Sequence, residues 1–423
     1  MNYKNTLEFA RHTDKEDVLA TFRHEFHFPQ HDGSDVVYFT GNSLGLQPKR
    51  TSHFIEQELS DWSKFGVEGH FLAKHPWFSY HENLSEFAAN IVGAKSSEVV
   101  YMNQLTVNIH LMMVSFYRPT KTRFKILCEA KAFPSDQYAL ESQVKFHGFN
   151  PDEAIVEAKP REGEYTIRTE DIINLIDENK DTLSLVMMGG VNYFTGQLFD
   201  LEKITKHAQQ YGIIVGFDLA HAAGNVKLKL HDWNVDFAAW CSYKYLNAGP
   251  GGVSGVFIHE KHHKATLNRF AGWWGYDKST RFKMEKRFKP IESAEGWQLS
   301  NAPVLLMAAQ RASLELFHEA GMDRLLEKAE KLTGYLEFII DEISAGQPEG
   351  KKFEIITPRN KNERGCQLSV VAHQRGKNLF TDLFSNGVIA DWREPNVIRL
   401  APVPLYNSFE DMYRFGQILK SIL

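Results

Sequence analysis

GIIVGFDLAHAAGNV, residues 212–226, decides the fold. Four apolar residues in six run into Asp218, and His221 follows three positions later. The apolar run reads as a buried strand. A carboxylate at the C-terminal end of such a strand lies where parallel α/β sheets bind ligands. Taken alone, Asp218 also reads as a residue that closes a strand or caps a turn.

The same pattern recurs on both sides of it. EVVYM (98–102), FKILCEA (124–130), TLSLVMMGG (182–190), FAAWCSYKY (237–245) and GVFIH (255–259) read as further buried strands. LTVNIHLMMVSF (105–116), PSDQYALESQVKFHG (134–148) and LEKITKHAQQYG (201–212) have helical spacing. Strands alternating with helices predict a mainly parallel sheet covered on both faces, an α/β fold. After about residue 303 the pattern changes to a long helical region, short strands near FEIIT, GCQLSVVAH, DWRE and NVIRLAPV, and a closing helix with Ser408 as N-cap. That predicts three parts: an N-terminal segment (1–45), a large α/β domain (46–305) and a smaller C-terminal α+β domain (306–423).

Composition bounds the possibilities. The 423 residues carry 48 Lys+Arg against 53 Asp+Glu, a net charge of −5 that offers nucleic acid no general basic surface. With 30 Phe residues the chain has ample material for a core, so disorder is excluded. No apolar run is long enough to span a bilayer and the N-terminus has no signal-like apolar stretch, so neither a membrane nor a secretory route is expected. Cys128, Cys241 and Cys366 are far apart and odd in number, which fits a reducing, cytoplasmic setting without disulfides. The histidines lack metal-ligand spacing, and His262 and His263 in EKHHK read as a solvated loop, so no metal is expected.

A second stretch adds chemistry. In WCSYKYLNAGPGGVSGVFIH (240–259), Lys244 ends an apolar run between Tyr243 and Tyr245. It reads as a partly desolvated amine suited to Schiff-base formation, or as a lysine snorkelling to solvent. The glycines that follow read as a phosphate cradle or as a tight backbone turn. Asp218 and Lys244 together suggest pyridoxal phosphate, which needs a lysine for its aldehyde and a carboxylate at its pyridine nitrogen. Leu105 and Thr106, opening a helix, would serve its phosphate. Phe133 would stack on its ring, and Pro134 fixes the turn into the next helix.

The longer motifs are more specific. YFTGNSLGLQP (38–48), LTVNIHL (105–111), EAKAFPSDQYA (129–139), VGFDLAHAAGNV (215–226), HDWNVDFAAWCSYKYLNAGPGG (231–252), GWWGYDKSTRFKM (272–284), LSNAPVLL (299–306) and IRLAPVPLYNSF (398–409) make the sequence resemble the kynureninase family nearly end to end. That resemblance implies the fold-type-I fold of pyridoxal-phosphate-dependent transferases. It also implies hydrolysis of L-kynurenine, with 3-hydroxy-L-kynurenine as a second substrate, to anthranilate (or its hydroxy form) and L-alanine in tryptophan catabolism. It places the cofactor on Lys244 as a Schiff base, with Asp218 at the pyridinium nitrogen. Leu105, Thr106, Phe133, Pro134, Ser135, Asp136, His221 and Tyr243 surround it. Gly189 stands where some relatives use serine, so any contact there runs through backbone. Trp273 and Asn301 match positions that the family takes from a neighbouring subunit, implying a homodimer with shared sites; plain packing is the other reading of Trp273. Ser43, His70, Asn301 and Arg399 are implied on the substrate side, Arg399 as the clamp for the α-carboxylate. Arg393 is its rival, unless it only pairs with Asp391 or Glu394. Lys244 is the candidate for moving the α-proton and Tyr243 for proton transfer at the carbonyl. The rival activity is another reaction of the same superfamily, a cysteine desulfurase or an aminotransferase; the first needs a reactive cysteine, and Cys366 reads instead as a small buried residue.

Overall fold

The apolar runs fold as one sheet. The computed structural model describes residues 2–348, 353–373 and 375–423. In it the strands are β1 (Val99–Tyr101), β2 (Lys125–Glu129), β3 (Ile155–Ala158), β4 (Leu183–Gly189), β5 (Ile214–Asp218), β6 (Phe237–Trp240) and β7 (Gly255–Ile258). They lie in the order β1-β7-β6-β5-β4-β2-β3. Every pairing from β3 to β6 is parallel, and only β7 runs antiparallel to its two neighbours. The mainly parallel sheet expected from the sequence is therefore present.

Alternation along each strand feeds two cores. Val186 and Met188 of β4 join Val215 and Phe217 on one face. Leu185 and Met187 join Phe237 and Val256 on the other. Helices Leu105–Phe116 and Pro134–Phe146 pack on the second face, and Leu201–Gln209, with Asp200 as N-cap, on the first.

Three local expectations change. β3 escaped the sequence reading because its IVEA carries one charge in four residues at a sheet edge. β6 stops at Trp240 rather than running to Tyr245. The Ser242 hydroxyl donates to the Val253 carbonyl and the Ala248 N–H donates to the Ser242 carbonyl at 3.0 Å, so the chain turns and Lys244 sits in a bend beyond the strand end. The EKHHK run is not a solvated loop. A short turn after β7 folds it back on the sheet, where His263 bonds the Ile258 carbonyl at 3.0 Å and His262 bonds the buried Asp236 at 2.8 Å.

The region after 303 is two helices, Val304–Ala320 and Met322–Ala345, separated by Gly321 at φ 75°. Beyond them β8 (Phe353–Ile355), β9 (Leu368–Ala372), β10 (Asp391–Arg393) and β11 (Val397–Leu400) form an antiparallel sheet in the order β8-β9-β11-β10. Ser408 caps the last helix, Phe409–Ile422, in a reciprocal box with Asp411. A separate core joins Leu332, Leu336, Leu368 and Phe415 to Ala10, Val37 and Phe39, so the N-terminal segment is built into this second unit. Val37–Tyr38 pairs in parallel with Val388–Ile389.

From there the chain crosses back to the sheet. Gly45 donates its N–H to the Tyr243 carbonyl at 2.8 Å. A Cβ at position 45 would lie 2.4 Å from the Lys244 carbonyl oxygen, so only glycine permits this approach. The N-terminal loop thereby braces the turn that carries Lys244.

Candidate active site

Three parallel strands end in a row. Asp218 closes β5, in register with Gly189 at the end of β4, and Glu129 closes β2. Beyond these ends lies a cavity of about 320 Å³, at the carboxyl edge where open α/β sheets take ligands. The other walls come from the start of helix Leu105–Phe116, from Phe133 to Asp136, and from the Tyr243–Lys244 turn.

The amine of Lys244 reaches into this space. Its Nζ lies 3.0 Å from His221 Nε2, 5.8 Å from the centre of the Phe133 ring and 5.9 Å from that of Tyr243. Burial, reinforced by the Lys244 charge, pushes His221 well below the ordinary histidine range. A neutral His221 accepts from Lys244 through Nε2, while its buried Nδ1 has no partner among the described residues. Phe133 lines the cavity and stays 41% exposed.

The floor is acidic. Burial raises Asp218, against the opposing pull of the Ala220 N–H, which donates to it at 2.6 Å. Burial also raises Asp136 well above the carboxylate range, and the neighbouring Asp218 adds to it. Glu129 is pushed up to about 7, again mainly by burial. Such displaced carboxyls cluster in functional sites.

The helix Leu105–Phe116 presents its N-terminus to the same cavity. Gln104 supplies no side-chain cap, and no acidic residue occupies the first turn. Gln104, Leu105 and Thr106 therefore offer backbone N–H groups and the positive end of the helix dipole to an anion.

The structure gathers Leu105, Thr106, Phe133, Ser135, Asp136, Gly189, Asp218, His221, Tyr243 and Lys244 around one space. Pro134 begins its helix next to them without forming the wall. Ser43, His70, Trp273, Asn301 and Arg399 stand outside the lining. Ser43 lies on the exposed side of the loop that ends on Tyr243. His70 bonds the Val67 carbonyl at 2.9 Å and meets Trp77 edge-on. Trp273 packs edge-on against Trp274 and Phe282 and is half exposed, and Asn301 is exposed in a loop.

Arg399 is buried behind the wall. It donates to the Tyr193 carbonyl at 2.6 Å and to Asp391, and its Nε has no partner among the described residues. Arg393 shares Asp391 at 3.3 Å, the ion pair that was its alternative reading. The glycine loop after Lys244 does not line the cavity. Gly249 and Gly251 take φ of 85° and 69° in a tight turn, which settles that stretch as a turn and not a cradle at this cavity.

Glu129 and Tyr193 are wall residues that sequence reasoning passed over, as are Gln104, Val191 and Ala220. Glu129 carried the same signal as Asp218, an acid closing an apolar run, inside a stretch already quoted for its other residues. Tyr193, edge-on to Phe133 at 5.2 Å, follows β4 in an irregular segment with no periodic signal.

Residues 325–419 match the family model described as the kynureninase C-terminal domain. The whole chain is similar to kynureninases: 59% identical to that of Flavobacterium psychrophilum, covering 99% of both chains. It is 57% identical to that of Myxococcus xanthus over 99% of this chain and 97% of the relative, and 48% identical to the human one over 98% and 92%. Among solved structures it resembles a cysteine desulfurase from Thermococcus onnurineus NA1 (TM-score 0.75, 18% identity, 92% and 94% covered). It also resembles a C-DES mutant with glycine linked to its PLP cofactor (TM-score 0.78, 16% identity, 94% and 98% covered). At such low identity these two speak for the fold alone.

Proposed function

The chain belongs to the kynureninase family, and we propose from that premise that the cavity over Asp218 and Lys244 is its catalytic centre. The protein is a pyridoxal-phosphate-dependent hydrolase of tryptophan catabolism that cleaves L-kynurenine to anthranilate and L-alanine. The observation that carries this is full-length identity of 59% to a kynureninase, with Lys244 facing a buried carboxylate across one cavity.

The residues fit the cofactor. An amine held by His221 stands in the cavity, a strand-end carboxylate lies below it, an uncapped helix N-terminus faces it, and an exposed aromatic ring lines it. Lys244 would hold the aldehyde, Asp218 the pyridine nitrogen, Leu105 and Thr106 the phosphate, and Phe133 the ring face. Ser135, Asp136, Gly189, His221 and Tyr243 would complete the surround. Bound there, pyridoxal phosphate supplies an electron-accepting ring for breaking the bond between Cβ and Cγ.

The chain's own groups do the rest. Lys244 moves the substrate α-proton, and neutral His221 keeps that amine oriented. Asp218 holds a negative charge at the floor. Burial keeps the Tyr243 hydroxyl protonated, so it is able to donate at the substrate carbonyl. Arg399 anchors the α-carboxylate through its fork once Tyr193 and Asp391 yield, with Ser43 close to the substrate and His70 beside its aromatic end. Arg399→Lys then raises KM for L-kynurenine roughly 10- to 100-fold, with less effect on kcat; an unchanged KM returns Arg399 to a structural role.

A homodimer belongs to the same reading. Phe71, Phe282 and Met284 are 58%, 58% and 67% exposed, and the first two join Trp273 and Phe78 in one aromatic surface. Such a surface suits a second copy of the chain. It would carry Trp273 and Asn301 to the partner's cofactor, Asn301 reaching the substrate as well. If so, mixing refolded Lys244→Ala and Trp273→Ala chains restores roughly a quarter of wild-type activity, since half the dimers are hybrids with one intact site. No recovery on mixing means self-contained sites.

Three further points support parts of the reading. The second core supports a division at 1–45, 46–305 and 306–423, although helix Val304–Ala320 packs into the first core. The three buried, unpaired cysteines support a cytoplasmic location, and among the described residues no helix is long and apolar enough to cross a membrane. The net charge of −5 supports a small-molecule partner over nucleic acid.

Purified, cofactor-loaded protein assayed with L-kynurenine and with 3-hydroxy-L-kynurenine tests the function. Equal amounts of aromatic acid and alanine are expected from both. A yellow protein that cleaves neither moves the activity to another reaction of the superfamily.

A further inference from the structure

The acids on the cavity floor are not equivalent. Asp218 and Asp136 have places in the cofactor reading above; Glu129 has none, yet it lines the same cavity and is only 4% exposed. Both its oxygens accept from the Gly189 N–H, at 3.2 and 3.1 Å. Among the described residues no Lys, Arg or His pairs with it.

Position 189 is built around this carboxyl. A Cβ there would fall 2.8 Å from Glu129 Oε1, so the acid fills the space that a side chain would take. The surroundings leave it little room for charge. Asp218 faces it from the end of β5, and Asp136 stands nearby in the first turn of helix Pro134–Phe146. Across the cavity are Lys244, among the described residues the one Lys or Arg in the lining, and His221, which burial holds neutral. Three carboxyls share one amine, so the lowest-energy arrangement keeps a proton among them.

We propose that Glu129 is a further positioning residue of this site, a neutral acid bonded to the Gly189 backbone whose proton keeps a second negative charge away from Asp218. The proposal rests on the cofactor reading. Burial, with Asp218 adding to it and the backbone N–H groups opposing, pushes Glu129 up to about 7. The acid is therefore neutral below that pH and anionic above it. Ionisation places a second anion beside Asp218, under a cofactor whose phosphate is itself negative. Cofactor affinity then falls as pH rises through neutrality.

The test compares wild type with Glu129→Gln, which keeps an oxygen for the Gly189 N–H and cannot ionise. Pyridoxal phosphate affinity is measured by equilibrium dialysis between about pH 6 and about pH 8.5, alongside infrared spectra of the cofactor-free proteins. Wild type should lose about tenfold more affinity over that range than the variant. Its protonated-carboxyl band should fade over the same range, and part of that band should be missing from the variant. Equal pH dependence in both proteins, or an identical band, overturns the proposal. Should the variant not fold, a wild-type band unchanged across the range overturns it equally. Wild type that takes up no pyridoxal phosphate at any pH overturns the cofactor reading itself, and this proposal with it.

Discussion

Lys244→Ala is expected to lower kcat for L-kynurenine cleavage by roughly 10³- to 10⁴-fold while the protein still folds. The size follows from the two tasks proposed for the amine, holding the cofactor aldehyde and moving the α-proton. Among the described residues no second Lys lines the cavity to substitute for it. Folding survives because the side chain makes one hydrogen bond, to His221, and its turn is held by backbone. The Gly45 N–H on the Tyr243 carbonyl and the Asn247 N–H on the Lys244 carbonyl do not depend on the lysine head group. Steady-state kinetics and borohydride trapping measure the effect. Wild type retains the cofactor covalently after reduction, and the variant should not. A variant that keeps its rate, or is labelled at another lysine, removes Lys244 from the centre of the reading.

The sheet was legible because its strands are apolar on both faces. Runs such as LSLVMMG admit no surface helix, and the glycines and acids that end them mark their boundaries. The edge strand β3 was not legible, since Ala158 alone of its four residues is buried and its composition is ordinary. Within the site, Asp218, Lys244, Phe133 and the helix start at Leu105 were visible from local sequence, each sitting where one element gives way to the next. What remained hidden was convergence. That Glu129 and Asp218 share a floor depends on β2 and β5 flanking β4, which follows from strand order and not from spacing along the chain. Arg399 was named through motif likeness, but its placement behind Tyr193 depends on how β11 abuts the irregular segment after β4.

Fold likeness by itself points elsewhere. The similar solved structures include cysteine desulfurases, which share the architecture at 15–18% identity. The cysteines of this chain do not fit that chemistry. All three are buried, and burial pushes the Cys366 thiol up to about 12, leaving almost no thiolate near neutral pH. Side chains at the site, not the arrangement of strands, separate the two activities.

Asp218→Asn should cost roughly 10²- to 10³-fold in kcat with a smaller change in cofactor affinity. The substitution keeps the shape and leaves an oxygen to accept from the Ala220 N–H, so the end of β5 should hold its place. What it removes is the negative charge beneath the ring. Pyridoxal phosphate bound there would supply an electron-accepting ring with its pyridine nitrogen protonated, and a neutral amide at position 218 would not hold that proton. Single-turnover kinetics separate the outcomes. Slow α-proton release with near-normal substrate binding is expected, along with a larger primary isotope effect on α-deuterated L-kynurenine as that step becomes limiting. Asp136 and Glu129 flank the position and both take protons readily. Part of the loss should therefore recover at higher pH, where one of them ionises and supplies the missing charge. A variant that is inactive at every pH would show that the charge must stand at the end of β5 and not merely nearby.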